Sequence, residues 1–296
     1  MPIKLSTRSY CLLLLCFMPP RRALAQTLSG AIDIHAHCDP DGTPRSIDAT
    51  DLARLAKSRG MRAIVLKNHY EPTASLAYVV RKEVPGIEVF GGISLDLTNG
   101  GINPAAVEWM TRVKGGYGRV VWMPTFDSEH NAVPEHRPFA RVAKDGKLVP
   151  EVVEVIGIIA KHKLLLETGH SSPAEALLLI REGKRQGVQS IVVTHAINRL
   201  VGMSIPEMQE AAKLGAYLEF VYVKPGSDEA AAHVKAIRAV GPEHCILSSD
   251  LGQANNPLHP DGLLTFYRYL MQQGFTEAEI DQMAKVNPAK VLDLKP

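Results

Sequence analysis

Five side chains suited to holding a divalent cation stand at the ends of apolar runs in this 296-residue chain. Ala31-Ile-Asp-Ile-His-Ala-His-Cys38 supplies His35 and His37. Side chains at i and i+2 leave a strand on one face, so both imidazoles point to the same place at its C-terminal end. Later runs end in His170, His195 and Asp250, and another ends in Lys67 with His69 just beyond it. A polar group closing an apolar run is costly to bury unless something binds it. Any one of these histidines alone reads as an ordinary hydrogen-bonded residue. Four imidazoles and a carboxylate at one rim form a ligand set for one or two ions of Zn²⁺ or, with similar donor preferences, Mn²⁺, Fe²⁺ or Co²⁺. Such an ion lowers the pKa of a bound water to about 7 and polarises a carbonyl or phosphoryl group. Asp250 beside that water would accept its proton and pass it to the leaving group.

The elements that must position these residues follow one alternating pattern. Apolar, β-branched-rich runs begin at Ala31, Arg62, Glu88, Arg119, Lys163, Ser190, Ala216 and Cys245. Each is followed by an amphipathic stretch with helix punctuation, such as Ser172-Pro173 before the stretch reaching Gln186. The starts are 26 to 31 residues apart, except for one gap of 44 that holds a long excursion with a hairpin signal at Asp145-Gly146. Near-continuous apolar strands imply burial on both faces, as in a parallel sheet wrapped by helices. Eight such units predict one (β/α)8 TIM-type barrel across residues 26–296, with the reactive groups at the C-terminal ends of the strands. The rival is an open doubly wound sheet, but no Gly-x-Gly-x-x-Gly follows the first strand.

Residues 1–25 read as a secretory signal peptide: Lys4 and Arg8, the apolar run Cys11 to Met18, then Ala23-Leu-Ala25 at a cleavage point. Removing them leaves 29 basic against 31 acidic residues, a net charge of −2. A near-neutral chain without a basic cluster argues against nucleic acid as a partner. The expected location is periplasmic or secreted, with no membrane attachment once the leader is gone. Cys38 ends one strand and Cys245 begins another, about 15 Å apart even in neighbouring parallel strands, so no disulfide is expected.

His-x-His on the first strand, single histidines on the fifth and sixth and an aspartate on the eighth resemble the amidohydrolase superfamily of metal-dependent barrels. The closing segment Asn287-Pro-Ala-Lys-Val-Leu292 is similar to that superfamily's terminal helix. The resemblance implies that His35 and His37 with Asp250 hold one metal, and His170 with His195 a second. It fails at one point. Two-metal members usually bridge their ions with a carboxylated lysine or a glutamate from the fourth strand, which here ends Trp122-Met-Pro-Thr125. Some relatives take the bridge from the second strand, which ends here in Lys67, and CO₂ added to its amine would give an anionic carbamate. The other reading keeps Lys67 as an ammonium paired with a carboxylate such as Glu219 or with an anionic substrate.

The activity implied is hydrolysis of an amide, lactone, ester or phosphoester. A one-metal alternative uses His35, His37, His170 and Asp250 as ligands and His195 as acid/base, and resembles the superfamily's decarboxylase branch. A third reading is an exported metal-binding module without turnover. His69, His130 on the long excursion and Gln253 after the eighth strand are candidate substrate contacts, and Asp39 and Asp41 candidate partners for the histidines. The expected partner is a small-molecule substrate, with self-association into a homo-oligomer left open.

Overall fold

The computed structural model describes residues 27–295. The expected signal peptide, residues 1–25, lies outside them. Eight parallel strands appear in the order of the chain: β1 (Ile32–Ala36), β2 (Ala63–Leu66), β3 (Glu88–Ser94), β4 (Gly118–Trp122), β5 (Leu165–Glu167), β6 (Ser190–Val193), β7 (Tyr217–Val221) and β8 (Cys245–Ser248). Each pairs with the next, and helices fill the intervals. β8 returns to β1, where Asp250 N–H donates to His35 O and His37 N–H to Leu251 O, both at 2.9 Å. The fold is therefore a (β/α)8 barrel.

Burial on both faces explains the continuous apolar runs. Ile32, Ile34, Ala63, Val65, Phe90, Val120, Trp122, Leu165, Val192 and Ile246 form one cluster that fills the barrel. Their neighbours in sequence, such as Ile64, Leu66, Val121, Leu166, Val193 and Leu247, pack outward against the helices. Val291 and Leu292 join the inner cluster from below, so the closing segment plugs the barrel opposite the candidate ligands. Asn287 anchors that plug by donating from Nδ2 to the carbonyls of Pro242 (3.0 Å) and Cys245 (2.6 Å).

Local signals account for the helix starts. Ser172 caps the helix Pro173–Arg185 in a reciprocal bond with Glu175, and Ser204 does the same with Glu207 for Ile205–Lys213. The excursion after β4 contains a small antiparallel hairpin, Ala143–Lys144 with Lys147–Leu148. Its turn residues Asp145 and Gly146 both have positive φ (50° and 72°), as a two-residue hairpin turn requires. Cys38 and Cys245 are buried free thiols, and burial pushes the Cys38 thiol up to about 12.

The strands are shorter than their apolar runs. β5 stops at Glu167 although the run continues to His170, β6 stops at Val193 before His195, and β8 stops at Ser248 before Asp250. Whereas His35 lies within β1, in these three strands the ladder ends two or three residues before the candidate ligand. His195 (φ 24°) and Asp250 (φ 49°) adopt left-handed backbone there.

Candidate metal centre

The barrel carries His35, His37, Lys67, His170, His195 and Asp250 to its C-terminal rim. A register irregularity in β1 between Asp33 and Ala36 turns His35 toward the other candidates, although Ile34 already faces the lumen. Asp33 secures the bend: its Oδ1 accepts from the N–H groups of His35 (3.1 Å) and Ser249 (3.0 Å). The rings of His35 and His37 lie 5.2 Å apart, those of His35 and His195 5.9 Å, and those of His170 and His195 4.9 Å. All four imidazoles are at most 2% exposed, whereas the Asp250 side chain is 26% exposed and opens to the mouth.

Three donor atoms converge. His35 Nε2 and His37 Nε2 each lie 3.1 Å from Asp250 Oδ1, and ligand atoms of the three residues all fall within 4.8 Å of one another. A cation about 2.0–2.1 Å from each ligand sets neighbouring donors about 2.8–3.4 Å apart in octahedral or tetrahedral arrays. The observed spacing fits a divalent ion. Among the described residues the buried Nδ1 atoms of His37, His170 and His195 have no hydrogen-bond partner, which marks the second pair of imidazoles as incompletely served.

A cation needs neutral imidazoles, and burial supplies them at His37, His170 and His195, whereas the carboxylates around His35 hold it protonated until a cation displaces its Nε2 proton. Burial, then Lys67, drives His35 down, but the Asp250 and Glu219 carboxylates outweigh both and lift it to about 9. Burial brings His37 down to about 3 and His195 to about 4, and holds His170 well below the usual range. The Asp250 carboxyl is raised by burial, yet His35 and then His37 overcome this and keep it well below the carboxylate range.

The carboxylate that orients His35 is Glu219, in the middle of β7. Both its oxygens lie 3.2 Å from His35 Nδ1, it accepts from Ser248 Oγ (2.5 Å), and it accepts from the His195 N–H (2.9 Å). With Nδ1–H given to Glu219, Nε2 is the nitrogen left to face Asp250 and Lys67, and it offers a lone pair once a cation displaces its proton. Glu219 is therefore not the partner that the ammonium reading of Lys67 offered. Lys67 is 1% exposed and forms no ion pair among the described residues. Its Nζ lies 2.9 Å from His35 Nε2 and 5.5 Å above the Trp122 ring. Burial lowers its pKa against the opposing pull of Asp250, Glu219 and Glu167.

A second carboxyl, Glu167 at the end of β5, is fully buried. Oε2 accepts from Thr194 Oγ1 at 2.7 Å, while Oε1 has no partner among the described residues. Burial, reinforced by the charge of Glu219, raises its pKa well above the usual carboxylate range. Neither glutamate was singled out as a site residue from sequence, although each carries the signal that marked the ligands: one polar residue inside an apolar strand.

The remaining candidates separate. His69 is buried in the histidine cluster, its ring 4.8 Å from His37 and 6.2 Å from His170. Phe126, 37% exposed, covers this side with its ring 4.3 Å from His69. His130 does not join them. It is exposed on the short helix Glu129–Ala132 and lines a surface groove with Val133, Ser172 and Glu175, because the excursion folds over the outer helices. Gln253 donates from Nε2 to Asp250 O at 2.9 Å and accepts from Asn256, so both ends of its amide brace the loop. Asp39 and Asp41 bind Arg45 rather than a histidine: Asp39 accepts from its N–H, and Asp41 pairs with its guanidinium at 2.5 Å.

Residues 30–219 match the family described as "Family of unknown function (DUF6282)". The chain belongs to that family. The matched span includes His35, His37, Lys67, His69, His170, His195 and Glu219, and ends before Asp250. Curated proteins give no sequence match. Among solved structures, an amidohydrolase from Pseudomonas aeruginosa superposes with a TM-score of 0.65 at 13% identity, over 89% of this chain and 95% of its own. A 2,6-dihydroxybenzoate decarboxylase from Rhizobium gives 0.60 at 12% identity, over 90% and 99%. A mutant organophosphorus hydrolase from Deinococcus radiodurans gives 0.58 at 17% identity, over 90% and 94%. These are amidohydrolase-superfamily barrels, and at such identities they establish a common fold.

Proposed function

We propose that this member of the DUF6282 family is a metal-dependent hydrolase that cleaves an amide, lactone, ester or phosphoester in a small molecule. The observation carrying the reading is the convergence of His35 Nε2, His37 Nε2 and Asp250 Oδ1 at the open end of the barrel. Those three would hold one divalent ion, with zinc the first choice, and His170 with His195 a second. When bound, the metal supplies a water of lowered pKa and a polarised substrate oxygen. Asp250, partly exposed and close to both imidazoles, accepts the water's proton and delivers it to the leaving group. Glu219 keeps the proton on His35 Nδ1 and so reserves Nε2 for the metal, and the buried rings exclude bulk water from the reacting groups.

Lys67 belongs to the same proposal as a carbamate. Its ammonium form has no carboxylate within ion-pair distance among the described residues, and its Nζ lies against the atom His35 offers to a metal. Attack of the neutral amine on CO₂ would form the N–C bond, release one proton and leave an anionic carbamate, a group that would hold metal ions where an ammonium would repel them. One observation favours the alternative, a one-metal decarboxylase with His195 as acid/base. β4 ends in buried Trp122 and Met123 and contributes no carboxylate. Counting bound metal per chain and seeking a carbamate signal after loading with isotopically labelled bicarbonate separates the two. A chain that binds no transition metal after dialysis, or that turns over nothing in an ester, lactone, amide and phosphoester panel when loaded, refutes the hydrolase. The proposal includes export directed by residues 1–25, with neither nucleic acid nor membrane as a partner of the mature chain.

A further inference from the structure

Asp96, Thr125 and His69 form a buried chain of hydrogen bonds that the ligand set does not use. Asp96 follows β3 and is fully buried. Its Oδ1 accepts from the N–H groups of Thr125 (2.8 Å) and Asp127 (3.0 Å), and its Oδ2 accepts from the Thr125 hydroxyl. Thr125 Oγ1, also fully buried, lies 2.7 Å from His69 Nδ1. A threonine hydroxyl has one proton. With that proton given to the Asp96 carboxylate, Oγ1 has only lone pairs to offer His69, so Nδ1 carries the proton and Nε2 is bare. Nε2 takes no hydrogen bond among the described residues, and the ring is clamped by His37, His170 and Phe126.

We infer that Asp96 and Thr125 are positioning residues that lock His69 in its Nδ1-protonated tautomer. The bare Nε2 then accepts a hydrogen bond from an O–H or N–H group of the substrate at the mouth of the site. This deepens the function proposed above and rests on it for the word substrate, but the tautomer itself needs neither metal nor turnover. Asp127 strengthens the geometry: its Oδ2 accepts from the Leu97 N–H at 3.0 Å, tying the loop after β3 to the loop after β4. Thr125 is thereby fixed from both sides.

Nitrogen NMR of the full chain with labelled histidines, free of metal and at neutral pH, tests the assignment, with the His69 signals identified by their loss in His69→Gln. The expected result is a protonated Nδ1 and a bare Nε2 in the wild type, movement toward the Nε2-protonated form in Thr125→Val, and return of the wild-type pattern in Thr125→Ser. A wild-type His69 protonated at Nε2 overturns the inference, and so does a Thr125→Val spectrum that does not change. If Thr125→Val fails to fold, the wild-type and Thr125→Ser spectra decide alone. Adding Zn²⁺ should move the His35 and His37 signals and leave His69 Nε2 unshifted. A coordination shift at Nε2 would instead make His69 a ligand and overturn its substrate-facing role. Zn²⁺ that binds nowhere sinks the hydrolase and leaves the tautomer standing.

Discussion

Replacing Glu219 by Gln tests whether the carboxylate behind His35 tunes the metal site. The buried Glu219 serves three donors: His35 Nδ1–H, Ser248 O–H and His195 N–H. A glutamine can keep its oxygen toward His195 and His35 and turn its amide toward Ser248, whose hydroxyl rotates to accept. The geometry therefore survives, and only the charge is lost. A hydrogen bond to a charged group contributes about 1.5–3 kcal/mol and a neutral one about 0.5–1.5. The difference, about 1–1.5 kcal/mol, is close to tenfold in an equilibrium constant. That lies at the lower edge of the 10–100-fold typical when such an outer partner is changed (roughly, as a general range).

The direction follows from His35. Burial works against the Glu219 carboxylate, but the imidazole beside it overcomes this and holds it down to about 2, so it is an anion at every working pH. Without that charge, His35 is a weaker base and a weaker ligand. Competition against a chromogenic chelator at neutral pH should show Zn²⁺ held about tenfold less tightly by Glu219→Gln, with the melting temperature near that of the wild type. Glu219→Ala is the wrong instrument, because it strands three buried donors at about 1–3 kcal/mol each. Unchanged zinc affinity in Glu219→Gln would refute the role given to Glu219.

Asp250→Asn should abolish turnover and weaken metal binding while preserving the melting temperature, because asparagine tolerates the left-handed backbone at φ 49°; unchanged turnover removes Asp250 from the mechanism. Gly169→Ala should cost more than about 2 kcal/mol in urea unfolding. Gly169 has φ 59°, and an added Cβ would lie 2.1 Å from Met123 O, so His170 must shift with the loop. His233, buried between Phe220 and Phe266, has its pKa lowered by burial. The unfolded chain then takes up a proton that the native state refuses, so stability falls as pH drops below about 6.5. Against falling pH, the unfolding free energy of His233→Leu from urea titrations should fall less steeply than that of the wild type, by up to about 1.4 kcal/mol per pH unit.

Eight strands and most of the candidate ligands were legible because a parallel barrel buries both faces of every strand. The sequence then shows unbroken apolar runs whose ends stand out by polarity alone, as at His35, His170 and Asp250. What sequence order could not reveal is which polar group meets which. Glu219 is 184 residues from His35, and only the closure of the barrel brings β7 close enough to β1 for their bond. Asp39 and Asp41 fail as partners for the histidines for the converse reason. Arg45, a few residues away, reaches them first, because a local turn forms irrespective of where the barrel places its rim.

The early ends of β5, β6 and β8 connect fold to chemistry. Side chains in a continuing strand alternate between lumen and helix layer, and consecutive rim positions would send every second ligand away from the mouth. Leaving the ladder two residues before the ligand releases φ and ψ, so His195 and Asp250 take left-handed backbone that aims them inward. For residues other than glycine that conformation costs of order 1 kcal/mol. It persists here because backbone bonds over-determine it: Asp250 N–H to His35 O at 2.9 Å and His195 N–H to Glu219 at 2.9 Å. The group that accepts from His195 N–H is the one that orients His35. Glu219 therefore holds one residue of each expected metal pair, and a single change there should loosen both.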